Sequence, residues 1–282
     1  YAAGRGNRRR RPARPRLEFV AGEFIAGYHA ALAADGQDDL ARRLAAIDPE
    51  VRGFAFEGAA MALALLDILT PWNRGRVRSF LDGPGAAHVY MVHVGVGWAL
   101  ARLRRSVSGR LERFDPLLRW LIVDGYGFHE TFFNWRRYAL DQAVPEVLKG
   151  YERRMFDQGV GRCLWFVDGA DVELITRTIA GFSPDRQPDL WSGIGLACAY
   201  AGGVERGQIE SLRAGAGEFL PHLAQGAAFG AKARQRAGNL APHAELACDV
   251  LCGRSASAAA GVTDTALAGL AFVFLYPVSL VV

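Results

Sequence analysis

Seven apolar stretches of the chain each open on a glycine and continue at helical spacing. Aligned on that glycine they read AGYHAALA (from Ala26), EGAAMALALL (Glu57), VGVGWALARL (Val94), DGYGFHETFF (Asp124), QGVGRCLWFV (Gln158), SGIGLACAYA (Ser192) and QGAAFGAKAR (Gln225). The first glycines, Gly27, Gly58, Gly95, Gly125, Gly159, Gly193 and Gly226, lie 31, 37, 30, 34, 34 and 33 residues apart. A recurrence near 33 residues is the length of a helical hairpin. Between the glycine-led runs lie segments with helical patterns of their own, DDLARRLAAI, DPLLRWLIVDG, VPEVLKGYERRMFDQG, DVELITRTIAGF and QIESLRAGAGEFLPHL. The pattern predicts an all-α chain of six to seven helical hairpins, with each glycine within about four residues of the start of a second helix. Glycine there lets neighbouring helix ends approach closely. A phosphate-binding role for the GxG motifs is disfavoured, because no strand precedes them and none continues as GxGxxG or GxxxxGK[ST].

Two architectures share this description. An open α-solenoid presents a concave face, whereas an α/α toroid joins its first and last hairpins around a central cavity. Six or seven hairpins suit closure, and the toroid is the favoured expectation. Lanthionine-synthetase-like and terpenoid-cyclase-like toroids also carry glycine-rich turns at their inner helices, an analogy of fold that carries no function.

Composition changes this picture only at the ends. With 51% hydrophobic and 22% charged residues the chain can bury a sizeable core, expected as one helical-repeat domain over residues 17–265. Residues 1–16 hold the only dense basic cluster, RGNRRRRPARPR, and are expected to form a disordered arm. No aromatic residue interleaves with those arginines, and the net charge is only +4, so a nucleic-acid partner is not expected. Residues 266–282 form an uncharged hydrophobic tail interrupted by Pro277, which speaks against membrane insertion. Cys163, Cys198, Cys248 and Cys252 contain no CxxC pair and read as reduced thiols. Glu18 and Glu23 break the run after the arginines where a signal peptide would be apolar, and the expected location is cytoplasmic.

The candidate chemistry gathers at the glycines. Glu57, Asp124, Asp157 with Gln158, Ser192 and Gln225 stand just before or at these motifs. Asp and Ser there suit N-capping, but Glu is a poor N-cap, which singles out Glu57. The densest aromatic region holds His88, His93 and Trp98, then His129, Glu130 and Trp135. Glu57, Asp124, His93 and His129, with Arg162 nearby, form a candidate acid/base group. Phe56, Trp98, Tyr126, Phe128, Phe132, Trp165, Tyr200 and Phe229 are candidates to line an apolar cavity, and Glu130, Asp157 and Arg162 to supply its polar contacts. Neither HExxH nor a zinc-spaced Cys/His pattern occurs, so no metal or other cofactor is expected. GxSxG is missing, as are the DDxxD and DxDD motifs of metal-dependent terpene synthases.

In the blocks RGFAFEGAAMALALLD, GAAHVYMVHVGVGWALARL, DPLLRWLIVDGYGFHETFF, FDQGVGRCLWFVDG and GIGLACAYAGG the chain resembles a bacterial domain-of-unknown-function family, number 1702, found in enediyne polyketide gene clusters of actinomycetes. The resemblance runs from about Val20 to Gly253. It implies a part in enediyne-type polyketide or related natural-product biosynthesis, where a highly unsaturated polyene must be handled, and it carries over no catalytic residue. The resulting expectation is an accessory protein that binds a polyene or isoprenoid-like intermediate and converts it by metal-independent cyclisation or proton transfer, in the manner of a cyclase, lyase or isomerase. The alternatives are a non-catalytic chaperone of the intermediate or of a polyketide synthase, and a helical-repeat adaptor.

Overall fold

A computed structural model of the protein describes residues 13–275, with side chains up to residue 268. Among the described residues the regular structure is entirely helical. Seven helices form a row through the molecule: α1 (Arg14–Ala33), α3 (Arg52–Leu69), α5 (Val89–Arg102), α6 (Trp120–Phe133), α7 (Tyr151–Val167), α9 (Gln187–Ala201) and α11 (Leu220–Arg236). Each packs on the next. Shorter helices lie in the connections, α2 (Gln37–Ala45), α4 (Arg76–Asp82), α8 (Val172–Ala180), α10 (Arg206–Ala216) and α12 (Pro242–Cys252), and α13 (Ala256–Leu275) ends the described chain.

The two sets differ in sequence because they differ in burial. In α2, α8 and α10 only one stripe is covered, built on Leu40 and Leu44, Val172, Ile175 and Ile179, and Ile209, Leu212 and Ala216, and most other positions are polar or small. Helix ends there are capped from the sequence: Asp171 Oδ1 accepts from the Leu174 N–H at 3.1 Å, and Glu205 with Gln208 forms a capping box. By contrast every residue of α3 from Gly53 to Leu65 is buried, as is every residue of α9 from Leu190 to Ala201. Helices apolar all round belong in the middle of a fold.

The glycines do not stand at helix starts. Gly58, Gly95, Gly125, Gly159, Gly193 and Gly226 lie five to eight residues inside their helices, and Gly27 lies in the second half of α1. They serve close approach of one backbone to the next. A Cβ on Gly159 would overlap the carbonyl oxygen of Asp124 in α6, one on Gly193 that of Gln158 in α7, and one on Gly226 that of Ser192 in α9. The second glycine of each GxG faces the other way along the row, Gly97 onto Ile122 and Gly161 onto Leu190. Two glycines one residue apart thus seat one helix between two neighbours.

Helices α7 and α9 run parallel. Near their starts Arg154 of α7 pairs with Asp189 of α9 at 3.0 Å, and at their ends the Trp165 indole N–H donates to the Gly202 carbonyl at 3.1 Å. The beginning of the row nevertheless meets its end. Arg16 in α1 donates to the carbonyl of Ala201 at the end of α9 (3.1 Å), and Phe54 at the start of α3 lies edge-on to Tyr200, ring centres 5.3 Å apart. Arg234, fully buried near the end of α11, donates to the Glu50 carbonyl just before α3, and Asn239 donates to that of Pro49.

Two expected helices are corrected. DPLLRWLIVDG is helical only from Trp120, and VPEVLKGYERRMFDQG only from Tyr151, where Gly150 at φ 53° breaks the chain direction. Most of the expected arm, residues 1–12, lies outside the described residues, but Arg14–Arg16 already belong to α1. The expected tail is helical as far as Leu275, and Pro277 lies outside the described residues. Among the described residues no helix is long and apolar enough to cross a membrane.

Candidate functional site

Because Gly95, Gly125, Gly159, Gly193 and Gly226 each rest on the carbonyl of the pre-glycine residue in the preceding helix, those pre-glycine residues are brought into register from helix to helix. Asp124, Gln158 and Ser192 are the result. The Ser192 hydroxyl donates to Gln158 Oε1 at 3.2 Å, and Gln158 Nε2 donates to Asp124 Oδ2 at 2.8 Å. All three are buried helix-interior residues, so the N-cap reading is overturned. Gln225, the next in the row, is exposed.

Arg162, one turn beyond Gln158 in α7, brings Nη2 to 2.6 Å from Asp124 Oδ1. Asp124 is 0% and Arg162 6% exposed, so this is a buried ion pair. Burial pushes the Asp124 carboxyl upward in pKa while Arg162 and Gln158 pull it down. Burial is the largest of these influences and leaves the Asp124 pKa above the ordinary carboxyl value. Arg162 also lies over the Phe128 ring, 5.1 Å from its centre.

Beside this pair lies a cavity of about 220 Å³. Its walls are apolar and largely aromatic: Phe24 and Ile25 from α1, Phe54 from α3, Trp98 from α5, Phe128, Phe132 and Phe133 from α6, and Phe166 from α7. Glu57, Arg162 and Tyr200 are its polar members. A second cavity of about 20 Å³, lined by Asp124 and Phe229 among others, shares Arg162, Leu196 and Tyr200 with the first. Ile25, Phe132 and Phe133 are 55%, 46% and 57% exposed and so mark the solvent side of the larger cavity.

Glu57 brings a carboxyl to this cavity. Removal from water raises its pKa from 4.5 to about 7, Arg162 pulling it down and Asp124 pushing it up. The Trp98 indole N–H is the smallest influence, because it faces the carboxyl out of good hydrogen-bonding alignment. A carboxyl poised near neutrality both gives and takes protons. Tyr200 stays neutral, burial pushing its pKa up to about 12.

A raised carboxyl pKa has a signed consequence for stability. The folded protein holds the Glu57 proton more tightly than the unfolded chain, so this contribution is complete below pH 4.5 and is lost as pH rises through 7. We expect Glu57→Gln to gain roughly 3 kcal/mol on the wild type between pH 4.5 and 8. Denaturant unfolding at the two pH values measures the difference, and equal pH dependence would place Glu57 in water. Taking the difference cancels His88 and His243, whose pKa values burial lowers to about 4 and which act in the opposite direction, losing stability as pH falls below 6.5.

The other sequence candidates are placed around this centre. His129 is buried behind the wall, its ring 5.4 Å from Trp98 and its Nδ1 3.5 Å from Glu130. Glu130 accepts from the Tyr138 hydroxyl at 3.1 Å. His93 turns elsewhere: Nδ1 bonds the Val89 carbonyl at 2.7 Å and the ring meets Phe114. Phe56 stacks on His88 and Phe80, and Tyr126 packs toward Phe156, neither of them lining the cavity. Asp157 is paired with Arg186 at 2.5 Å, and Trp165 is wholly buried with its N–H on Gly202. Among the described residues no three His, Cys, Asp or Glu side chains gather as metal ligands.

Sequence reasoning missed the α1 wall. Val20, Ala21, Phe24 and Ile25 line the cavity but precede Gly27, where the helix was expected to begin. Their spacing of one, three and four residues is itself a helical stripe.

Among known proteins, a family model described as "Protein of unknown function (DUF1702)" matches residues 3–272. No curated protein and no solved structure matches the chain.

Proposed function

We propose that this chain, which belongs to the family of proteins of unknown function DUF1702, binds an apolar polyene or isoprenoid-like intermediate in the 220 Å³ cavity and transfers a proton to or from it through Glu57. One observation carries the reading: a carboxyl of pKa about 7, buried beside an ion pair, faces a largely apolar and aromatic cavity. Mostly apolar walls with few convergent polar groups are the signature of a small-molecule site. Aromatic faces also stabilise positive charge, which suits cyclisation through a cationic intermediate. The resemblance to a family of enediyne polyketide clusters supplies the ligand class, the natural-product setting and a polyketide synthase as partner, and the free cysteines support a cytoplasmic location. We read the helical row as repeated hairpins closed into a toroid rather than an open solenoid, a reading supported by the bonds of Arg16 and Arg234 across its two ends.

The test replaces Glu57 by glutamine in a producing strain. The shape of the side chain is kept and its proton transfer removed. Product formation is expected to fall by at least a hundredfold, with the unconverted polyene accumulating, while the purified variant binds trans-parinaryl alcohol as the wild type does. Full product from Glu57→Gln would leave a binding or chaperone role in place of catalysis.

A further inference from the structure

The polar end of the cavity restricts what it can hold. Asp124 already neutralises Arg162 at 2.6 Å and is itself held by Gln158. Among the described residues no other cation lines the cavity: Arg234 lies over Tyr200 at 4.6 Å, but its N–H groups go to the carbonyl oxygens of Tyr200, Glu50 and Asn239. From the remaining sides α1 offers Phe24 and Ile25, α5 Trp98, and α9 Leu196 and Tyr200. Donors on two residues lining this cavity nevertheless remain without an aligned acceptor, Arg162 Nε and the Trp98 indole, and Arg162 is more than nine-tenths buried. Buried donors in such a position call for an acceptor oxygen. A ligand carboxylate would supply one, but it would share a single guanidinium with Asp124 and lie beside Glu57, a repulsion that low dielectric strengthens.

Size adds a second restriction. A cavity of about 150 Å³ holds one benzene ring, and drug-sized ligands need upward of about 300 Å³. At about 220 Å³ this one encloses only part of a long molecule. The remainder has an apolar landing at the exposed side chains of Ile25, Phe132 and Phe133.

We propose that the cavity takes one end of an extended, uncharged molecule whose terminal carbonyl or hydroxyl oxygen is held by Arg162 and Trp98 beside Glu57. The proposal rests on the reading of this cavity as a polyene site and narrows it to neutral, oxygen-ended chains. The linear fluorescent tetraene of trans-parinaric acid, compared as the free acid, methyl ester, alcohol and amine on the wild-type protein at pH 8, tests it. The ester and alcohol are expected to bind at least tenfold tighter than the acid and the amine. Glu57→Gln is expected to shrink the penalty on the acid at least threefold by removing the neighbouring negative charge. An acid or amine that binds more tightly than both neutral forms overturns the proposal while leaving the cavity a polyene site, and so does a penalty unchanged by Glu57→Gln. Failure of all four forms to bind removes the polyene site itself.

Discussion

Gly159→Ala is expected to lower the unfolding midpoint by roughly 6–12 °C. The added Cβ would overlap the Asp124 carbonyl oxygen and crowd the backbone nitrogen of Phe128, and a helix backbone cannot turn aside as a flexible side chain does. One of the two helices must shift, a cost of about 3 kcal/mol or more, and each kcal/mol is worth roughly 2–4 °C in a domain of this size. Valine at the same position is expected to do worse. Gly22→Ala is the control: it lies inside α1 with nothing within 4 Å of its added methyl, so alanine there should raise stability by about 0.5–1 kcal/mol through helix propensity. Thermal unfolding of both variants decides the matter. A Gly159→Ala protein as stable as the wild type would mean that α6 and α7 are not in backbone contact.

Arg162→Met is expected to destabilise by about 3–5 kcal/mol, because it leaves Asp124 buried and without its cation. The carboxyl should then take up a proton at neutral pH, and much of the lost stability should return when Asp124→Asn is added. Asparagine still accepts from Gln158 and brings no charge. Denaturant unfolding of the two single variants and the double variant forms a thermodynamic cycle. If the double variant is as unstable as Arg162→Met, packing of the arginine stem over Phe128 rather than the ion pair accounts for the effect.

Glu57 was legible in the sequence for a reason that did not survive. It drew attention as a poor N-cap before a glycine, yet it lies in the sixth position of α3, at no helix end. What makes it distinctive is burial beside Arg162 and Asp124, residues 105 and 67 positions along the chain. Trp98, Phe128, Arg162 and Tyr200 were named for their place on glycine-led helices and do line the cavity with it. Phe56 was named on the same grounds and does not: about 100° around the helix from Glu57, its ring stacks on Phe80 and His88. Asp157 and Gln158 diverge for the same reason, one toward Arg186 and the other toward Asp124.

The sequence by itself determined the helices and their need for contact. Apolar stripes at helical spacing, absence of strand patterns and recurring glycines are local properties, written in consecutive residues. The pre-glycine residues Asp124, Gln158 and Ser192, each 34 residues from the next, are bonded to one another. Only the tertiary structure decided that the glycines sit in mid-helix, since a glycine that ends a turn and one that admits a neighbouring backbone look alike in one dimension. It alone decided which flank of each helix faces the cavity, and so separated Glu57 from Phe56 and brought in Phe24 and Ile25. That choice depends on how each helix is rotated against its neighbours, a quantity set by the whole row of packed backbones and carried by no single segment of the chain.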